Sequence, residues 1–129
     1  MVQIKKRKVH KMSLEIKRGD IVKCYLPGEG NSHVQSGYRP VVVVQNNTGN
    51  KFSPNTIVVP LTSESKKDMP THSKFVIHYA SREDVNNIAL CEALTTIPIS
   101  SITSKVGHVN YSNMQKIEQA IRVSLGLNY

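Results

Sequence analysis

The sequence predicts a β-rich (α+β) fold, a small barrel with an amphipathic helix packed on it at the C-terminal end. Valine, isoleucine and leucine dominate the 39% of apolar residues, since tryptophan is absent and aromatic residues make up only 5% of the 129 residues. Such side chains favour pleated, half-buried surfaces. Short apolar segments separated by turn residues recur along the chain, a spacing typical of small barrels. In one C-terminal stretch the apolar residues recur at every third or fourth position instead, which predicts a helix.

The strands are predicted from apolar runs and alternation. Residues 21–26 follow a Gly19-Asp20 turn, and residues 41–44 form a continuous apolar run typical of a strand covered on both faces. Residues 46–50 are asparagine, threonine and glycine, which tolerate positive φ, so the chain is expected to reverse there. Alternation of Ile57, Val59 and Leu61 predicts the next strand and leaves Thr62 at its end. Further short strands are predicted at 75–79, 88–92 and 105–109.

The C-terminal helix is predicted by its caps and its apolar stripe. Ser112 and Gln115 match a capping box at its start, and Gly126 is the expected stop. The stripe consists of Met114, Ile117, Ile121 and Leu125, with Met114 predicted to belong to the core.

Composition and charge favour one domain over residues 18–129, preceded by a basic, poorly ordered arm over residues 1–17. The formal charge is +8, and seven of the 17 lysines and arginines lie within residues 1–18, opposed there by Glu15 alone. A polyanionic partner would suit this charge, although a solvated tail is the simpler interpretation of the arm. The two cysteines are far apart, which predicts no zinc site or disulfide. No apolar run has membrane or signal-peptide length, so the protein is expected in the cytoplasm, with no membrane partner.

The segment 37–62 carries the candidate site. Arg39 stands at the mouth of an apolar strand, and its planar guanidinium offers five donors suited to phosphate. Thr62 ends the next strand, where a loop begins. From spacing alone, Arg39 could equally pair with an acidic residue at a strand end, and Thr62 could be an ordinary strand-end threonine.

Several loop and strand motifs resemble those of the MazF/PemK family of toxin endoribonucleases, over nearly the whole chain from Lys17 to Tyr129. The resemblance is carried by the segments RGDIV from Arg18, GYRPVVV from Gly37, QNNTGNKFSP from Gln45, LT at 61–62, PTH at 70–72, LCE at 90–92 and SLGL at 124–127.

The resemblance implies an SH3-like barrel, a homodimer, a cognate antitoxin, and cofactor-free and metal-free cleavage of single-stranded RNA. It assigns catalysis to Arg39 and Thr62. It also implies RNA-binding roles for Ser63, Lys66, His72 and Glu92, in which histidine could stack on a base and glutamate could accept from an exocyclic amine. A buried partner of a nearby donor is the equal alternative for Glu92.

One departure concerns the proton acceptor. Some relatives place a glutamate where this chain has Val34, in the stretch before Gly37. His33 lies beside that position, and with an ordinary pKa of about 6.5 it is the hypothetical base. A solvated loop histidine is the alternative.

Three functions remain open at this point. The first is an endoribonuclease toxin, the second a non-nucleolytic toxin of the gyrase-poison kind, and the third a non-catalytic RNA-binding module on the same barrel. Arg39, Thr62 and the turn after the first apolar strand favour the nuclease.

Overall fold

Seven strands and two helices form the part of the chain that the structure describes. The computed structural model covers residues 14–27, 37–63, 67–78 and 83–127. Single 3-10 turns at Cys91–Ala93 and Ile99–Ser101 flank the sixth strand. The elements are β1 Asp20–Leu26, β2 Gly37–Val43, α1 Asn47–Phe52, β3 Asn55–Thr62, β4 His72–Ile77, β5 Val85–Leu90, β6 Thr95–Pro98, β7 Ile102–His108 and α2 Tyr111–Leu125.

All strand pairs are antiparallel, in the order β4-β5-β3-β2-β1-β7, with β6 paired to β3. The sheet is not closed, because β4 and β7 end the path without pairing to each other within the described residues. A pocket lies at this seam, lined on one side by Phe75 and Ile77 and on the other by Gly107 and Val109. The predicted β-rich fold with a C-terminal helix is confirmed, and the barrel is open along the seam.

Two apolar cores lie on opposite sides of β2 and β3. The alternation of side chains along a strand explains this division, since Val42 points to one core and Val41 and Val43 to the other. All three valines are fully buried, which confirms a strand covered on both faces. The helix-side core contains Ile21, Val42, Val59, Leu61, Phe75, Ile77, Ala89, Cys91, Val109, Met114, Ile117 and Ala120. The second core contains Ile16, Val22, Cys24, Leu26, Val41, Val43, Val58, Ile97 and Ile102.

The chain reverses after β2 through the short helix α1, not through residues with positive φ. Among the described residues only Gly19, Gly37 and Gly126 have positive φ, so Gly49 keeps an ordinary backbone. Asn46 caps the helix by accepting a hydrogen bond from Gly49 N at 2.8 Å. Asn50 is buried, and its Oδ1 accepts from Thr56 Oγ1 at 2.7 Å. This buried hydrogen bond connects the helical turn to β3, and amino-acid composition does not predict it.

The N-cap of helix α2 lies two residues before the predicted cap. Asn110 is the N-cap, since its side chain accepts from Asn113 N at 2.8 Å, and the predicted box of Ser112 and Gln115 is wrong. Gly126 ends the helix at φ 70°, as predicted. Met114 lies in the core as predicted, whereas Leu125 is 53% exposed. The buried stripe is Met114, Ile117 and Ala120, with Ile121 half-buried.

Some boundaries and one strand differ from the predictions. The strand β6 was not predicted, and Glu92, expected at a strand end, lies in the 3-10 turn after β5. The core also begins before residue 18, because Ile16 is 5% exposed and belongs to the second core. Residues 1–13 of the predicted basic arm lie outside the described residues. None of the described helices is long and apolar enough to span a membrane.

Candidate active site

Arg39 and Thr62 lie at the neighbouring ends of β2 and β3. The two strands pair in the register Val41 with Pro60, Val42 with Val59 and Val43 with Val58. Arg39 lies two residues before Val41 and Thr62 two residues after Pro60, just past the last pair of this ladder, and residues two apart on a strand point to the same face. Directly opposed residues in an antiparallel pair point to the same face. The two predicted catalytic side chains therefore share one face of the sheet.

A proline accounts for the end of the pairing between β2 and β3. Proline has no backbone N–H to donate to a ladder, and Pro40 stands directly before Val41, the first residue of β2 that pairs with β3. Pairing stops at Val41 and Pro60, and β3 continues by pairing Thr62 with Ile88 of β5. The residues of β2 before Val41 keep only their pairing with β1. Arg39 and Thr62 thus sit where two adjacent strands take different partners.

The two side chains differ in exposure. Arg39 is half-buried, and Thr62 is 7% exposed. Both lie on the face of the second core, since Arg39 alternates with Val41 and Thr62 with Val58. That face is opposite the one covered by α2. A substrate phosphate that reaches Thr62 therefore approaches from the side of the sheet away from the helix.

Lys74 belongs to the same face and was not predicted. Thr62 pairs with Ile88, and Ile88 pairs with Lys74, so these three side chains form a row across β3, β5 and β4. The burial of Ser73, Phe75 and Ile77 provides the signal for this orientation, because alternation places Lys74 on the other side. Its ammonium forms a hydrogen-bonded ion pair with Asp68. The hydrogen bond, and to a smaller extent the positive charge of Lys74, lowers the pKa of the Asp68 carboxyl.

His72 and Glu92 are in direct contact. His72 Nε2 lies 2.8 Å from Glu92 Oε2, and the two side chains are 6% and 45% exposed. A carboxylate accepts only, so Nε2 carries the hydrogen of this bond. The other ring nitrogen, Nδ1, is buried without a partner among the described residues. The ring is directed at Glu92 and offers little surface for stacking, whereas the carboxylate remains half open to solvent.

Of the three remaining predicted site residues, the structure describes only Ser63. Ser63 is exposed directly after Thr62. Lys66 and His33 lie outside the described residues, and so does most of the loop between β1 and β2. The described residues contain no group of three or more histidine, cysteine or carboxylate side chains able to hold a metal ion.

Comparison with known proteins identifies the family. The model of PemK-like, MazF-like toxins of type II toxin–antitoxin systems matches residues 17–125. The chain belongs to this family. Endoribonuclease EndoA of Bacillus subtilis (strain 168) is 36% identical over 114 residues, which cover 87% of this chain and 96% of EndoA. The suspected membership of the MazF/PemK family is confirmed.

Solved structures of MazF-like toxins share the fold. A MazF from Deinococcus radiodurans matches with a TM-score of 0.74 at 17% identity, covering 88% of this chain and 99% of that one. A mycobacterial endoribonuclease in complex with its cognate antitoxin matches with a TM-score of 0.67 at 22% identity, covering 88% of this chain and 98% of that one. Both likenesses extend over nearly the whole length of the two chains compared.

Proposed function

We propose that this protein is the endoribonuclease toxin of a type II toxin–antitoxin system, and that it cuts single-stranded RNA without a metal ion. Membership of the toxin family and the name of the EndoA relative support the activity. One observation carries the site assignment, namely the placement of Arg39 and Thr62 at neighbouring strand ends on one face.

The proposed reaction uses the substrate's own 2′-OH. Its oxygen attacks the adjacent phosphorus, a 2′,3′-cyclic phosphate forms, and the bond to the 5′-oxygen breaks. The proton lost by the 2′-OH goes to a base, and the leaving oxygen gains a proton to become a 5′-OH. The protein must therefore assist two proton transfers and stabilise extra negative charge on the phosphate in between.

Arg39 is assigned to the developing charge. Its guanidinium can donate two parallel hydrogen bonds to phosphate oxygens, and a preorganised donor at a developing oxyanion lowers the barrier by about 3 to 4 kcal/mol. Anchoring on β2 between two cores fixes the backbone that carries it. Arginine is a poor acid because its pKa is about 13, so charge stabilisation is its main role.

Thr62 is assigned to orientation of the 2′-OH or the scissile phosphate through its hydroxyl. A threonine hydroxyl without a neighbouring base is a weak proton acceptor, so the base is a separate group. His33 remains the proposed base, and Ser63 and Lys66 remain proposed RNA contacts.

Glu92 and His72 are assigned to recognition of a base. The half-exposed carboxylate of Glu92 is an acceptor suited to an exocyclic amine, and the bond from buried His72 holds that carboxylate in place. In this assignment His72 is a positioning residue for Glu92.

The partners follow from the family. A toxin of this class is proposed to act in the cytoplasm as a homodimer and to be neutralised by a cognate antitoxin.

The deciding experiment is incubation of the purified protein with a long single-stranded RNA in the presence of EDTA. Discrete fragments whose 5′ ends accept phosphate from a kinase without prior phosphatase treatment are expected, because 2′-OH attack leaves a 5′-OH. Intact RNA with slowed gyrase would favour the gyrase-poison alternative. Intact RNA that remains bound would favour the non-catalytic binding module.

A further inference from the structure

We infer that Tyr25, Tyr38 and Lys23 form a stacking platform for nucleobases that flank the cleaved bond. The ligand is a single-stranded nucleic acid, so this inference rests on the proposed function in taking RNA as the substrate. It adds a binding surface on the face of β2 opposite to Arg39.

Two exposed tyrosines pair across β1 and β2. Tyr25 stands directly opposite Tyr38 in the strand register. Their ring centroids are 4.8 Å apart with a tilt of 46°, and they remain 64% and 47% exposed. Exposed aromatic rings of this kind provide faces on which unpaired bases stack, with little dependence on sequence.

Hydrogen bonds fix one of the two rings. Tyr38 Oη lies 2.8 Å from Thr103 Oγ1, and Thr103 Oγ1 donates to Lys23 O at 3.2 Å. Because the hydroxyl of Thr103 has one hydrogen and uses it on Lys23, the hydroxyl of Tyr38 is the donor in their shared bond. The ring of Tyr38 is thereby tied to β7 and is ordered before any base arrives.

A cation completes the platform. Lys23 Nζ lies 5.9 Å from the centroid of the Tyr38 ring, within the range of a cation–π contact. An ammonium at the edge of an aromatic surface suits the phosphates of a strand whose bases stack on the rings. Protein–protein interfaces are enriched in tyrosine as well, but they are depleted of lysine. The charge therefore favours RNA over a second protein as the occupant.

The platform and the proposed active site lie on opposite faces of the same strand end. Tyr38 and Arg39 are successive residues of a strand, so their side chains leave opposite faces of the same backbone. On the N-terminal side of Val41, β2 is not paired with β3 and pairs only with β1. A strand of RNA held at Arg39 can pass around this unpaired edge of β2 to reach the tyrosines, without crossing the core.

A fluorescent reporter can test the platform directly. The chain has no tryptophan, so Tyr25→Trp introduces a single indole at the platform, and Tyr111→Trp provides a matched control at another exposed tyrosine, on α2. The probes are two oligonucleotides around a mapped cleavage site, one minimal and one extended on both sides, each with a 2′-deoxy nucleotide at the scissile position. We expect the extended oligonucleotide alone to quench the indole at position 25, and neither to quench the indole at position 111.

Affinity measurements supply the second arm. Wild-type protein should bind the extended oligonucleotide more tightly than the minimal one, and Tyr25→Ala with Tyr38→Ala should reduce this advantage by about 5- to 150-fold, the range of aromatic stacking on one base. Tyr38→Phe keeps the ring and should keep most of the advantage. Tyr111→Ala should keep all of it.

Two results would overturn the platform. One is an advantage of the extended oligonucleotide that survives the double substitution. The other is a change of oligomeric state in the double variant, which would make the patch an interface between copies of the chain. Cleavage of the minimal all-ribose oligonucleotide by the wild type reports the proposed function separately, so its failure is distinguishable from failure of the platform.

Discussion

The proposed role of Arg39 depends on its position on β2, two residues before the pairing with β3 begins. A donor held by a rigid backbone at the point of developing charge contributes most when it needs no reorganisation. Arg39→Ala should lower the single-turnover cleavage rate by about 100- to 1000-fold while the variant remains folded. Arg122→Ala, at an exposed arginine on α2, is the matched control and should cleave normally. Undiminished cleavage by the Arg39 variant would refute the site assignment.

The contact between His72 and Glu92 yields a prediction about specificity. Glu92→Gln replaces an acceptor-only carboxylate with an amide that also donates, so the preferred base at one position of the cleaved sequence should change. His72→Gln can still donate to Glu92 and should retain more of the wild-type preference than His72→Leu. Mapping of cleavage ends on a defined transcript measures this. If all three variants gave the same cleavage map as the wild type, Glu92 would have no role in base recognition.

The buried thiols predict a loss of stability at high pH. Burial raises the pKa of Cys24 from 9.0 to about 11, and burial followed by the charge of Glu92 raises that of Cys91 from 9.0 to about 12. Folding keeps both thiols protonated, so their contribution to stability is complete below about pH 9 and is lost as the pH rises toward 11 and 12. Urea unfolding between pH 8 and 11 should show the decline, and the double variant Cys24→Ala with Cys91→Ala should show a shallower one. Equal slopes of unfolding free energy against pH for the wild type and the double variant would show that the two thiols do not cause the decline.

At the scale of elements, α2 provides a test of its two observed ends. Asn110→Ala removes the side chain that accepts from Asn113 N and should cost about 1 kcal/mol of unfolding free energy. Gly126→Ala places a side chain at φ 70° and should cost about 1 to 2 kcal/mol. Ser112→Ala is the control and should change stability by less than about 0.5 kcal/mol. Equal losses for Asn110→Ala and Ser112→Ala in urea unfolding would restore the predicted capping box.

Elements with a strong apolar period could be predicted, and elements fixed by polar contacts could not. The period of α2 located that helix, but Asn110 and Ser112 are both good caps, and only the observed hydrogen bond separates them. The helix α1 depends on the buried bond between Asn50 and Thr56. The strand β6 has four residues and exists because β3 leaves an edge for it to pair with. Periodicity carries none of this information.

The candidate site shows the same division. Arg39 and Thr62 could be selected from the resemblance to the toxin family, and the pairing of β2 with β3 then explains why two residues so distant in sequence lie on neighbouring strands. Lys74 was missed because its place in the row depends on the pairing of β4 with β5, which no local pattern reveals. The exposed pairing of Tyr25 with Tyr38 was missed for the same reason.

At the scale of the whole molecule, the uneven distribution of charge predicts a separable effect of the N-terminal arm. Five of the basic residues, Lys5, Lys6, Arg7, Lys8 and Lys11, precede Leu14. If they contact RNA, deletion of residues 1–13 should reduce the slope of log affinity against log salt by up to about 3 to 4, since each phosphate contact on a single strand contributes about 0.7. Cleavage should persist.

The end point of that deletion follows from the packing. Ile16 is buried in the second core, and Leu14 packs against it. A longer deletion through residue 17 should therefore lower the unfolding temperature as well, which serves as a control for loss of structure. An unchanged salt slope after the shorter deletion would identify the arm as a solvated tail.

The proline at the end of the pairing between β2 and β3 also has a consequence for hydrogen exchange. Amides of Val41 to Val43 lie between two cores and should exchange their hydrogens only when the molecule opens widely. Pro40 has no amide hydrogen, so Arg39 carries the nearest amide on the N-terminal side of this stretch. Arg39 therefore stands two residues from amides expected to exchange slowly, and the buried core holds one end of the short segment that carries its guanidinium.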